Sequence, residues 1–256
     1  MNAPTVAKAV TTTLAGVLND DVPAIAVSFA DGSTREDVDR ATADGLDVAE
    51  LRIDRYDSYD LDHVVETVRG FEQFPTIATI RTKDEGGDWT GSDADRLELF
   101  RAVLPYVHGV DVELSSVGIL STVIEEAHSQ GKVVVLSSHN FDATPATADL
   151  VRTATDSKRL GADYVKLAAF VRSPEDLRTL ASFTLEHAHL GLIVIGMGGH
   201  GSASRVFFPA LGSKLTYAHI GRWVVSGQLD YRQTFEALRS FYPEFDQRKI
   251  EELGLL

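Results

Sequence analysis

A chain of 256 residues with 44% hydrophobic and 8% aromatic side chains can bury one barrel-sized core or two small ones, which excludes a disordered polymer. A formal charge of −14 opposes contact with phosphate backbones, and no apolar run approaches the roughly 20 residues that span a bilayer, so neither nucleic acid nor membrane is an expected partner. Zero cysteines exclude disulfides and thiolate chemistry, while 17 arginines against 7 lysines and 23 aspartates suit an acidic surface screened by high salt.

Residues 9–18 follow Lys8 and imitate a signal peptide, with Ala24-Ile25-Ala26 as a mock cleavage site. Three threonines dilute the apolar stretch and Asp20-Asp21 follow it, and cleavage there would cut into the first strand. A cytoplasmic protein is expected, with residues 1–22 an unassigned leader. Strand 24–29 comes next, then a helix opened by Ser33 with Glu36 as a capping box and stopped at Gly45. The alternation continues through strand 47–53, helix 60–71, strand 76–81, helix 93–106, strand 109–114 and helix 117–130. Strand 132–138, helix 146–159, strand 163–169, helix 173–189, strand 191–197, a short helix near 202–207, strand 214–218 and helix 230–241 complete it.

Eight strands alternating with helices and no break in composition predict one domain over 1–256, an α/β fold of the (β/α)8 TIM-barrel kind. An open doubly wound sheet is the competitor. Parity in strand 47–53 favours the barrel: Ala49, Leu51 and Ile53 point one way, toward helices, while Val48, Glu50 and Arg52 must face something enclosed. Asp111 and Glu113 repeat the inversion, Arg81 ends its strand, and His139 follows the run from Val133 to Ser138. Lys166 shares parity with Tyr164. Titratable groups thus gather at the C-terminal ends of five successive strands, where barrel enzymes keep their chemistry. Lys166, between Val165 and Leu167, reads as a desolvated amine with a lowered pKa that can attack a carbonyl.

Other motifs carry less. Gly196-Met197-Gly198-Gly199-His200-Gly201 fits a dinucleotide fingerprint but has no Asp or Glu before Asp230 to hold a ribose, so its glycines more simply turn or let backbone approach. His187 and His189 diverge on a helix end and have no second cluster; Ser202 and Ser204 lack the glycines of a nucleophile elbow. His63, His108 and His128 read as surface residues, and His200 and His219 stay open.

The ordered segments Glu50-Leu51-Arg52-Ile53-Asp54, Arg81-Thr82-Lys83-Asp84-Glu85-Gly86-Gly87, Asp111-Val112-Glu113-Leu114, Ser137-Ser138-His139-Asn140-Phe141, Val165-Lys166-Leu167-Ala168, Met197-Gly198, Ser204-Arg205 and Gly227-Gln228 resemble the type I 3-dehydroquinate dehydratases. The resemblance runs from about Pro23 onward. It implies dehydration of 3-dehydroquinate to 3-dehydroshikimate in the shikimate pathway, with no metal and no cofactor, by a homodimer. It also implies that Lys166 forms an imine with the C3 ketone, that His139 carries protons, and that Glu85 orients the imidazole. Arg205 would bind the substrate carboxylate, Glu50, Arg52 and Arg81 the ring hydroxyls, Ser28 a pocket position, and Gln228 the closing loop. Asp111 and Glu113 would support the lysine and histidine from behind. Two departures stand out: Val224 occupies the position of a family serine, and the leader forms no evident hairpin beneath the barrel. A lysine aldolase binding phosphate at loop 196–201, or a silent barrel that only binds a carboxylate, are the alternatives.

Overall fold

The computed structural model describes residues 13–254 apart from 32, 34, 44 and 221–225. Strands form where the chain has apolar residues to bury on two faces: β1 Ile25–Phe29, β2 Val48–Arg52, β3 Thr76–Thr79, β4 Gly109–Glu113, β5 Val133–Asn140, β6 Tyr164–Phe170, β7 Leu192–Met197 and β8 Thr216–Ala218. They are parallel, in the order β7-β6-β5-β4-β3-β2-β1-β8, so β1 to β7 each pair with their sequence neighbours and β8 returns to β1. That order curls into a barrel and rules out an open sheet with a switch point.

Between β7 and β8 no strand ladder forms among the described residues. Other groups bridge the seam instead. Lys214 N–H donates to Leu192 C=O at 2.8 Å, Val194 N–H donates to Ser213 Oγ at 2.9 Å, and Gly196 N–H donates to Ser204 Oγ at 2.9 Å. Every second residue of the β7 edge is thereby satisfied.

Strand parity divides the core as the sequence predicts. Ala49, Leu51, Val110, Val112, Val165 and Leu167 join the outer layer between strands and helices, whereas Val48, Ile77, Val135, Tyr164, Ile193, Leu215 and Tyr217 fill the lumen. The outer layer meets α3 Leu61–Arg69, α4 Asp93–Val103, α5 Leu120–Ser129, α6 Thr147–Leu160, α7 Pro174–Glu186 and α9 Tyr231–Phe241, together with α2 Arg35–Ala43 and the short α8 Ser204–Phe207. Each large side chain buried there, such as Phe100 or Phe183, contributes about 1.5–3 kcal/mol.

Both ends of the chain depart from expectation. Residues 14–19 of the unassigned leader form α1 Leu14–Asn19, capped by Thr13 Oγ1 accepting Gly16 N–H at 3.0 Å. Leu14, Val17 and Leu18 enter the lumen cluster, and Tyr164 donates its hydroxyl to Asn19 Oδ1 at 2.7 Å, so a helix plugs the barrel bottom. Residues 1–12 lie outside the described residues. A further helix, α10 Pro243–Leu253, follows the last predicted one. Its buried Lys249 reaches Asp47 Oδ1 at 2.6 Å and Gly45 C=O at 2.7 Å, while Asp47 Oδ2 accepts Ile25 N–H at 2.8 Å, tying α10 beneath β1 and β2. Of the histidines expected on the surface, His63 and His108 are half-buried and bonded to Asp31 at 2.9 Å and Thr76 Oγ1 at 3.0 Å.

Candidate active site

Lys166 sits mid-strand on β6 with its side chain in the lumen, beside Ser137 in the β5 register. Its Nζ donates to Asp111 Oδ2 at 2.9 Å and Glu50 Oε1 at 3.2 Å, and lies 4.1 Å from the Tyr217 ring centroid. Burial works against the ammonium, but Asp111 and then Glu50 outweigh it, and the Lys166 pKa is raised above its ordinary value. The predicted lowered amine is therefore corrected: at rest this lysine is charged. Its sequence neighbours Val165 and Leu167 face the outer layer, and the two carboxylates that decide its state are 55 and 116 residues away in sequence.

A lattice of ion pairs continues from Asp111. Its Oδ1 accepts from Arg81 at 2.8 Å and from Ser137 Oγ at 2.6 Å. Arg81 also reaches Glu113 Oε1 at 3.0 Å. The second oxygen of Glu113 is taken by fully buried Arg96, which in turn donates to Ile80 C=O at 2.8 Å. Glu113 thus braces Arg81 from behind, and Asp111 touches the lysine directly. Burial raises Glu50, Asp111 and Glu113, but neighbouring cations overcome it and hold all three below the usual carboxylate range. Arg52 is locked in a two-point bond to Asp54, at 2.9 and 2.7 Å, and Ser28 donates to Glu50.

Strand β5 runs two residues beyond its predicted end, so His139 is carried by the sheet. Glu85, on a 3-10 turn Lys83–Glu85 after β3, faces it. One Glu85 oxygen, Oε2, accepts both the His139 backbone N–H and Nδ1–H at 3.0 Å, and Ser115 donates to the other. With Nδ1 as donor, Nε2 keeps its lone pair. Burial first, then Arg81 and Lys166, pushes the His139 pKa well below 6.5, so the imidazole is neutral at physiological pH.

Arg205 is aimed by the residue before it. Ser204 Oγ accepts Gly196 N–H and donates to Gly201 C=O at 2.6 Å, which pins α8 to the end of β7. Glycine is demanded here: a Cβ on Gly201 would lie 2.4 Å from the Gly196 carbonyl carbon, and one on Gly227 would lie 2.3 Å from Gly198 O. Gly198 N–H donates to Ser226 C=O at 3.0 Å, so the glycine loop holds the segment that presents Gln228. Backbone packing explains the fingerprint-like glycines. Arg205 is 4% exposed, and its only side-chain hydrogen bond among the described residues is from Nη1 to Tyr217 C=O at 3.4 Å. Burial lowers its pKa to about 10. A guanidinium buried without a carboxylate is set to receive an anion.

All nine site residues expected from the sequence, Ser28, Glu50, Arg52, Arg81, Glu85, His139, Lys166, Arg205 and Gln228, line one cavity at the C-terminal mouth. A larger groove of about 730 Å³ lies at the opposite end, lined by Lys132, Lys158 and Lys214; Lys158, in the last turn of α6, sits where cations favour helix C-termini. Among the described residues no three His, Asp or Glu side chains are grouped to hold a metal ion.

The type I 3-dehydroquinase family model matches residues 25–244. The chain belongs to the type I 3-dehydroquinase family. It is 34% identical over 207 residues to a 3-dehydroquinate dehydratase of Methanocella arvoryzae, covering 81% of this chain and 93% of that one. A 3-dehydroquinate dehydratase of Thermodesulfovibrio yellowstonii is 31% identical over 215 residues, covering 83% and 93%. The crystal structure of the 3-dehydroquinate dehydratase from Aquifex aeolicus superposes with a TM-score of 0.76 at 30% identity, covering 86% and 99%. Membership makes this chain a lyase of the shikimate pathway, acting in aromatic amino acid biosynthesis as a 3-dehydroquinate dehydratase of type I.

Within that family frame the sequence reading missed Arg55, Phe141, Met197 and Tyr217, which also line the cavity. Tyr217 was within reach, since Leu215 and Tyr217 alternate with Thr216 and Ala218 in the last predicted strand. Phe141 stacks on His139 at 6.4 Å and 16° and sits in the motif already quoted. Val224, the departure from the family serine, lies outside the described residues.

Proposed function

We propose that Lys166 forms an imine with the C3 ketone of 3-dehydroquinate and that His139 moves the protons. Neutral His139 first accepts a proton from the Lys166 ammonium, freeing the amine to attack the carbonyl carbon. That proton returns to the carbinolamine oxygen, water leaves, and a protonated imine remains. His139 Nε2 then takes the C2 proton while the electron pair moves into the iminium, and the resulting enamine expels the C1 hydroxyl with the same proton. A water molecule releases 3-dehydroshikimate and restores the amine. Glu85 keeps Nε2 available throughout, and Arg205 clamps the substrate carboxylate. Arg52, Arg81, Glu50, Ser28 and Gln228 grip the ring hydroxyls.

The observation that carries this reading is the company kept in one cavity: a lysine on β6, a neutral imidazole on β5 and a buried guanidinium with no carboxylate partner among the described residues. The test is to treat the protein with 3-dehydroquinate and borohydride and to map the adduct by peptide mass analysis. Labelling at Lys166 is expected; an absent adduct, or one on another lysine, refutes the proposed role. We further propose a cytoplasmic homodimer with a salt-tolerant acidic surface, as the resemblance and the charge of −14 suggest. A monomer by light scattering would refute that assembly. Among the described residues no helix is long and apolar enough to cross a membrane.

A further inference from the structure

Glu50 and Asp111 reach Lys166 Nζ from β2 and β4, and the aromatic face of Tyr217 meets it from β8 at 4.1 Å. Tyr217 is 5% exposed and lies on the lumen face of a three-residue strand. Its ring touches the amine, and its carbonyl receives Arg205. One β8 residue therefore links the lysine to the guanidinium. A ring face attracts a cation through its quadrupole, most strongly where water is excluded, and an aliphatic side chain of similar bulk does not.

We propose that Tyr217 is a positioning residue whose ring face seats the Lys166 amine beside the reacting carbon and holds it as ammonium until a carbonyl compound arrives. The inference deepens the reading of Lys166 given above and rests on it. The other groups facing the amine are Glu50 of β2, Arg81 just past the end of β3, Asp111 of β4 and His139 of β5; β7 contributes no charged residue. The carboxylates, themselves held by Ser28 and by Arg81 with Ser137, draw Nζ from β2 and β4, and the ring face bounds it from β8. The hydroxyl keeps its proton, since burial and then the two carboxylates raise its pKa against the pull of Lys166, so the ring acts as a neutral aromatic.

The test measures free amine without the substrate. Full-length wild-type protein and the variants Tyr217→Phe and Tyr217→Leu are treated with formaldehyde and cyanoborohydride across pH 7–10, and methylation of Lys166 is followed by peptide mass spectrometry. Wild type and Tyr217→Phe are expected to share one profile of rate against pH. Tyr217→Leu is expected to reach the same rate about one pH unit lower, because the ammonium has lost its aromatic face. On 3-dehydroquinate, kcat falls about tenfold in Tyr217→Leu with KM little changed, and Tyr217→Phe restores it. Tyr217→Met repeats the experiment should the leucine variant misfold. A leucine profile that overlays wild type, or a phenylalanine profile displaced as far as leucine, overturns the proposal. Failure of borohydride to trap 3-dehydroquinate would overturn the role of Lys166 while leaving the methylation profiles readable.

Discussion

Arg205 offers a prediction in which activity and stability move in opposite directions. This guanidinium is buried, with one long side-chain hydrogen bond to Tyr217 C=O among the described residues, and its pKa falls from an ordinary 12.5 to about 10. For a base lowered on folding, the cost applies in full below the folded value and is relieved as pH rises toward the unfolded one. At neutral pH it amounts to about 3 kcal/mol against folding, at about 1.36 kcal/mol for each tenfold change. Arg205→Met keeps much of the stem and removes the charge. After a discount of about 1 kcal/mol for the lost hydrogen bond, the variant should be more stable by about 2 kcal/mol. That predicts a Tm about 4–8 °C higher for a chain of this size in scanning calorimetry at pH 7. Substrate affinity should move the other way. Removing one partner of a buried charge pair costs about 2–5 kcal/mol, a loss of roughly 30-fold to several thousandfold in kcat/KM. Added ligand should raise the wild-type Tm and leave the variant unmoved. A variant that melts lower than wild type, or that keeps its kcat/KM, would refute the claim that Arg205 is an uncompensated cation awaiting a carboxylate.

His139→Ala should still be trapped on Lys166 by borohydride yet turn over about 10²–10⁴ times more slowly in an ultraviolet assay for the conjugated product; full activity would remove His139 from proton transfer. Because burial holds His139 well below 6.5, the acid limb of kcat should lie below pH 6.5, and a midpoint at or above that value would contradict a neutral resting imidazole. Asp111→Asn leaves Lys166 with Glu50 alone and Arg81 with Glu113 alone, which should cost about 3–5 kcal/mol and lower the Tm by roughly 10 °C. Asp111 is depressed in the folded state, so its stabilisation is present above the ordinary carboxylate range and lost as pH falls through it; wild type should lose Tm more steeply than the variant below about pH 4. Leu18→Ala should cost about 2–5 kcal/mol in urea titration while sparing kcat, since it empties lumen volume at the far end from Lys166. A kcat reduced in proportion to stability would show that α1 acts on the site.

The barrel was legible because parallel strands packed on both faces leave parity signals: Glu50, Arg52 and Asp111 on the wrong face for helix contact could go only inward. The nine pocket residues were named from the family resemblance, and for those on strands the register sets their shared depth, as in the pairing of Ser28 with Glu50. The charge state of Lys166 was not legible. Local sequence gives burial, but the sign of a pKa change depends on which distant carboxylates converge, and Asp111 and Glu50 arrive only when the ring of strands forms. For the same reason the buried pairing of Glu113 with Arg96 of α4 was not legible, since the two meet only once α4 packs on the strands. Helix α1 escaped because its six residues owe their shape to three side chains in the barrel bottom, with little intrinsic propensity behind them.

Arg205 stands by the seam between β7 and β8, where, among the described residues, serine side chains take the place of the strand ladder found at the other joints. A small acid held by Lys166 and Arg205 in the way proposed would form a rung across that joint. Catalysis and closure of the cylinder are then coupled: amide protons at Val194 and Gly196 should exchange with solvent more slowly once product or an unreactive acid is bound, and each release loosens the stave again.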